Sequence, residues 1–247
     1  MKSALMRIIL TSFALALLIP NIASAETKIF IKEYTYQASE EDSRDSGRTI
    51  ALREVKRLFL EDLGTYLESI KEVKNLQLTK DQIVTLTAGI VQMEVVDEKW
   101  DDRTYWLRAR ITVDSGSIIK NIDAVRSNPV KANVLEELRK RADDQLREIA
   151  RLRKELVMAK GEDRARGRTA YDNAVKNITA IDWFEKGFAS GISGDVSHTI
   201  NAYTKAIGLN PKYAEFYNYR GNAYSNLGNY KQAVEDYNKA IELYRAA

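Results

Sequence analysis

A stretch near the C-terminus of this 247-residue chain matches itself at a fixed offset. Trp183, Gly187, Gly194, Tyr203 and Ala206 recur as Tyr217, Gly221, Gly228, Tyr237 and Ala240, each pair thirty-four residues apart. A period of that length means one supersecondary unit used twice. The residues inside the unit are those that two antiparallel helices need. Gly187 and Gly221 let the helices cross closely, Tyr203 and Tyr237 fill the space beside them, and Ala206 and Ala240 let the next pair approach. Gly194-Asp195 and Gly228-Asn229 are turn signals between the helices of each pair, and Asn210-Pro211 stops the first unit. The units are placed at 180–213 and 214–247. From Thr169, the spacing of Tyr171, Ala174, Val175 and Ile178 predicts a helix covering the front of the first, so the repeat region runs over 169–247.

The segment resembles the tetratricopeptide-repeat family. The second copy carries the resemblance in Tyr219-Arg-Gly-Asn-Ala-Tyr224, Leu227-Gly-Asn-Tyr-Lys-Gln-Ala233 and Asp236-Tyr-Asn-Lys-Ala-Ile241. The first departs from it, with Ser190, Val196 and Thr199 where the second has Tyr224, Tyr230 and Ala233. The resemblance implies all-α helical hairpins and protein or peptide binding on a superhelical surface, without chemistry of its own. In such folds the first helix of each pair lines the concave groove, which maps to Phe184, Phe188 and Ile192 in one repeat and Asn218, Asn222 and Asn226 in the other. Asn222 stands where family members hydrogen-bond a ligand's backbone or terminal carboxylate, but Asn218 replaces the lysine that completes such a clamp. Peptide-binding amides and solvated consensus residues both remain open readings of these asparagines. A second candidate is the outer face of the last helix, where Val234, Tyr237, Ile241 and Tyr244 present apolar surface that a third unit would cover. Ile241 and Tyr244 are the positions expected to contact a second copy or a partner's helix there.

At the N-terminus, Lys2 and Arg7 precede an apolar run from Ile8 to Ile19, and Pro20 leads to Ala23-Ser24-Ala25. This is the pattern of a secretory signal peptide over residues 1–25, the apolar run being short for an uncleaved anchor. The chain has no cysteine, so nothing supports acyl anchoring or a disulfide framework. The expected destination is a bacterial periplasm, with no membrane span after cleavage. Cleavage removes two cations and no acid, taking the formal charge from +3 to +1 and with it the electrostatic support for nucleic-acid binding.

Between signal and repeats lie two further regions. Over 26–128 the pattern is α+β. It runs as a strand around Ile29, Ile31, Tyr34 and Tyr36, a polar loop at 40–47, and a helix over 48–74 with one apolar face. A short helix follows, opened by the capping box Thr79-Lys-Asp-Gln82 and ended by Gly89, then a strand pair at 90–97 and 104–113 turning at Asp101-Asp102. In the last strand Tyr105, Leu107, Ala109, Ile111 and Val113 alternate with Thr104, Trp106, Arg108, Arg110 and Thr112, which predicts one core face and one wet face. Through Leu86-Thr-Ala-Gly-Ile-Val91 and Thr104–Val113 this region is similar to a small module of bacterial envelope lipoproteins and flagellar-assembly proteins. The region 129–168 reads as a helical spacer. Leu135, Leu138, Ala142, Gln145, Ile149, Leu152, Leu156 and Ala159 form a coiled-coil-like seam that predicts a homodimer, the alternative being a helix folded back on its own chain. Gly161 and Gly167 bracket a candidate hinge.

Nothing in the composition favours catalysis. One histidine, His198, and no cysteine exclude zinc sites and Cys–His nucleophiles. Glu40-Glu41-Asp42 and Asp101-Asp102 fall in loops, where solvated carboxylates are expected. No phosphate-binding loop or nucleophile elbow is present, and no cofactor is implied. The reading is a periplasmic non-enzymatic adaptor binding a protein or peptide through its repeats. The alternative is a structural subunit whose repeats stack on copies of the same chain.

Overall fold

The computed structural model describes residues 27–246, so the expected signal peptide over 1–25 lies outside the described residues. The described residues open with strand β1 (Thr27–Gln37), then helices α1 (Arg44–Ser69), α2 (Lys71–Lys74) and α3 (Lys80–Ala88). Strands β2 (Glu94–Trp100) and β3 (Thr104–Asp114) complete an antiparallel sheet of order β1-β3-β2. Helices α4 (Ser115–Arg126), α5 (Pro129–Met158), α6 (Gly161–Ile192), α7 (Val196–Leu209), α8 (Ala214–Asn226) and α9 (Tyr230–Ala246) follow.

The strand alternation of β3 comes out as expected: Tyr105, Leu107, Ala109, Ile111 and Val113 are buried. On β1, Phe30, Tyr34 and Tyr36 face the core side while Ile29 and Ile31 stand exposed on the outer face. Helix α1 starts from the capping box of Ser43 and Ser46 and lays Ile50, Val55, Phe59, Leu63 and Leu67 against the sheet. The Thr79–Gln82 box and Gly89 bound α3 as the sequence reading had them.

The spacer behaves differently from a dimer seam. The chain reverses at residues 159–160, Gly161 takes a φ of +54°, and α5 and α6 pack as an antiparallel hairpin. Leu135, Leu138, Ala142, Ile149, Leu152 and Leu156 are buried within this one chain, against α6 along most of the helix and against α3 and α4 at its start. The stripe expected to pair with a second copy is therefore consumed internally. The partner face on α6 is Tyr171, Ala174, Ile178 and Ile181, all fully or nearly fully buried. The polar seam residue Gln145 accepts from Asn177 Nδ2 at 3.0 Å, and Asn177 Oδ1 accepts from Asn210 at 2.6 Å, so the polar position is satisfied in cis. Glu148 and Glu155 pair with Arg151 on their own helix, while Arg153 reaches Gln37 and Ser39.

Two polar clusters tie α6 to the N-terminal elements. Asp42, expected in a solvated loop, has a fully buried side chain that accepts from Tyr36, Ser39 and Tyr171, with Arg153 at 3.3 Å. Its neighbour Glu41 is gripped by Arg164 and Arg168. Further along, Glu185 Oε2 of α6 lies 3.0 Å from Arg53 Nη1 and 2.5 Å from Lys56 Nζ of α1, and Asp182 takes the same Arg53 nitrogen at 3.1 Å. One hydrophobic cluster accordingly runs unbroken from Tyr36 in the sheet through α1, α5 and α6 to Phe216 and Tyr219 in α8.

Candidate functional site

The C-terminal hairpins share the same close glycine–tyrosine crossing where the sequence matches itself. A Cβ built on Gly187 would stand 2.7 Å from the ring of Tyr203, and one built on Gly221 would stand 2.8 Å from the ring of Tyr237. Both turns end on a glycine in the left-handed region, Gly194 at φ +82° and Gly228 at φ +78°. Each small residue thus marks a close crossing, and each tyrosine lies across the gap thirty-four residues on from its counterpart. Residues 214–245 also match the family profile described as Tetratricopeptide repeat. They are a tetratricopeptide repeat.

A groove of about 330 Å³ opens beside that repeat. Phe188 and Ile192 of α6 form its apolar wall, and Tyr203 and Tyr219 line it from α7 and α8. Asn222 and Asn226, one helical turn apart on α8, are its exposed amides. Tyr237 donates its hydroxyl to Asn222 Oδ1 at 2.8 Å, which leaves the Nδ2 group of Asn222 as a donor with no partner among the described residues. Lys131, from the first turn of α5, lines the same groove. Sequence reasoning missed it, because it lies far outside the repeat period and only the return of α6 along α5 brings it here.

Two expected groove residues are elsewhere. Phe184 is fully buried at the centre of an aromatic knot, its ring 5.1 Å from Tyr203, 5.3 Å from Phe216 and 5.1 Å from Tyr219. Rings from α7 and α8 cover it, so this side chain joins the two repeats inside the core and does not line the groove. Asn218 is half-buried and does not line the groove. Ile241 and Tyr244, by contrast, are open to solvent. With Tyr230 and Val234 they make a stripe on α9 that is 68, 55, 47 and 53% exposed at Tyr230, Val234, Ile241 and Tyr244, all within about 80° around the helix. His198 is exposed, with Nδ1 2.6 Å from Asp195.

Over 64 residues the chain is 44% identical to the rice protein named Protein SGT1 homolog (Oryza sativa subsp. japonica), a match covering 26% of this chain and 17% of that protein. Among solved structures it aligns with MamA RS-1 ArsTM double mutant at 16% identity, over 83% of this chain and 97% of the other, with a TM-score of 0.28. MamA MSR-1 C2 aligns at 17% identity over 81% and 99%, also at 0.28. No helix among the described residues is long and apolar enough to cross a membrane.

Proposed function

We propose that this chain is a non-enzymatic adaptor, exported to the periplasm, that docks an extended segment of a partner protein in the groove beside the tetratricopeptide repeat. The observation that carries the reading is the groove itself. An apolar wall of Phe188 and Ile192 faces the Asn222 and Asn226 amides, which can hydrogen-bond a peptide backbone. Lys131 supplies a cation that the repeat motif lacks at Asn218, and so suits a carboxylate on the bound segment. A photoreactive amino acid at Asn226 should crosslink to a protein partner in cells, whereas the same group at exposed Lys154 should not. Equal yields at both positions, or none at Asn226, contradict the reading. Export predicts a mature chain beginning at Glu26, and a stable full-length species in the inner membrane would count against it.

The α9 stripe supports a second reading, in which copies of the chain stack end to end. Tyr230, Val234, Ile241 and Tyr244 leave an apolar face open where a further hairpin would pack. The two readings separate on whether assembly or partner capture is lost when that stripe is charged.

A further inference from the structure

A second cleft, of about 490 Å³, lies where α1, the approach to β2, α6 and α7 meet, and it shares no lining residue with the repeat groove. Its charged lining is dominated by Arg48, Lys56, Lys186 and Lys205, with Asp182 as the carboxylate. Most of these charges are already answered. Glu98 holds Arg48 at 2.9 Å, Glu185 holds Lys56, and Asp182 is held by Arg53. Lys186 and Lys205 have no carboxylate within 4.0 Å among the described residues. Their ammonium groups stand instead over the ring of Trp183, at 4.4 and 4.0 Å from its centroid. Burial pushes the Lys186 ammonium below its ordinary value. Asp182 opposes that shift, and Lys56, Arg48 and Lys205 reinforce it.

The repeat period says why these two cations stand alone. Lys186 corresponds to Arg220 and Lys205 to Lys239. In the second repeat, Arg220 makes two hydrogen bonds to Asp236, at 2.7 and 2.8 Å, and Lys239 pairs with Glu242 at 2.8 Å. The first repeat has Ala202 in place of that aspartate and Gly208 in place of that glutamate. Both cations are kept, both acids are gone, and Ala202 itself lines the cleft. A pair of like charges held together with their internal counter-ions removed is stabilised by an external anion. Leu52, Val91, Met93 and Trp183 give the remaining wall apolar character.

We propose that this cleft binds a small amphipathic anion, a carboxylate or phosphate monoester on an aromatic or branched aliphatic body, with Lys186 and Lys205 as its charge partners and Trp183 against its apolar part. The pairing of both lysines over one ring suits a compact ligand rather than a polymer backbone, which needs a running stripe of cations.

Titration of the full chain with hydrocinnamate, phenyl phosphate, hydrocinnamyl alcohol and inorganic phosphate tests this, read by calorimetry and by the Trp183 indole resonance. At least one of the two amphipathic anions should bind and shift that resonance, and which one does names the anion. The neutral alcohol and bare phosphate should each bind at least about tenfold more weakly. Lys186→Gln and Lys205→Gln should each weaken the anion about tenfold or more, with an unchanged or raised melting temperature because like-charge repulsion is relieved. Ala202→Asp, which restores the acid the second repeat keeps, should abolish anion binding and leave the fold intact. Failure of both anions to bind at millimolar concentration overturns the proposal. So does equal binding of the alcohol or bare phosphate, or wild-type affinity in the lysine variants. If Ala202→Asp does not fold, the two lysine variants decide alone.

Discussion

Adding one methyl group at Gly187 tests the repeat geometry in quantitative terms. The new Cβ would stand 2.7 Å from two carbons of the Tyr203 ring, so the ring must retreat by about 1 Å to reach ordinary contact. It has nowhere to go. Tyr203 is 2% exposed, with Phe184 at 5.1 Å and Tyr219 at 6.1 Å between ring centres. Overpacking of this kind costs about 1–3 kcal/mol, while replacing a mid-helix glycine by alanine returns about 1 kcal/mol. The expected net loss for Gly187→Ala is therefore about 0–2 kcal/mol. At Gly221 the clash with Tyr237 is similar at 2.8 Å, but that ring is only half-buried and can swing outward at the expense of its bond to Asn222. Gly221→Ala should fall within about 1 kcal/mol of the parent. Urea denaturation followed by circular dichroism measures both, and a Tyr203→Leu background supplies the control. There Gly187→Ala should become neutral or stabilising, giving a coupling of about 1–3 kcal/mol. If Gly187→Ala changes stability by the same amount in both backgrounds, the glycine is not there for the close crossing.

Three further outcomes follow from the packing. Leu152→Glu should destabilise the chain by at least about 3 kcal/mol in denaturation with no change of mass in light scattering, since Leu152 is buried against α6; a dimeric parent converted to a folded monomer would reinstate the coiled-coil reading. Glu185→Ala should cost about 3–5 kcal/mol by leaving Arg53 and Lys56 facing each other, and a loss under about 1 kcal/mol would mean that the cluster is solvated. Burial opposes ionisation of Glu185 but Arg53 and Lys56 outweigh it, so its carboxyl titrates below the usual range. Its stabilisation is present above the ordinary glutamate value and fades only as pH falls through the lowered one. Ile241→Lys with Tyr244→Lys should leave helical content unchanged while abolishing any self-association seen by sedimentation; association that survives the charges rules out stacking through α9.

What could be read in advance was what local pattern controls. The Gly187–Tyr203 and Gly221–Tyr237 contacts, the turns at Gly194 and Gly228, the capping box at Thr79 and the inward alternation of β3 all follow from residue spacing within one element or one period. Long-range packing was not legible. A seam of Leu138, Ile149 and Leu152 reads the same whether a second chain or α6 covers it, because periodicity fixes the face and not its occupant. Asp42 looked solvated because its partners Tyr171 and Arg153 come from more than a hundred residues away. At the groove, Asn222 and Asn226 lie where the family pattern implied, but Phe184 is packed inward by Tyr203, Phe216 and Tyr219 of the following helices, and Lys131 arrived from another helix altogether. The lysines of the second cleft were not singled out in the sequence, because their convergence on Trp183 appears only in the fold.

Hydrogen exchange on the chain with and without its crosslinked partner, purified as a complex, tests the central claim most directly. Docking in the repeat groove predicts slowed amide exchange in peptides spanning 188–192 and 219–226 and around Lys131, with the outer sheet face near Ile29 and Ile31 unaffected. Protection confined to the sheet or to the α9 stripe, with the groove peptides unchanged, would contradict it.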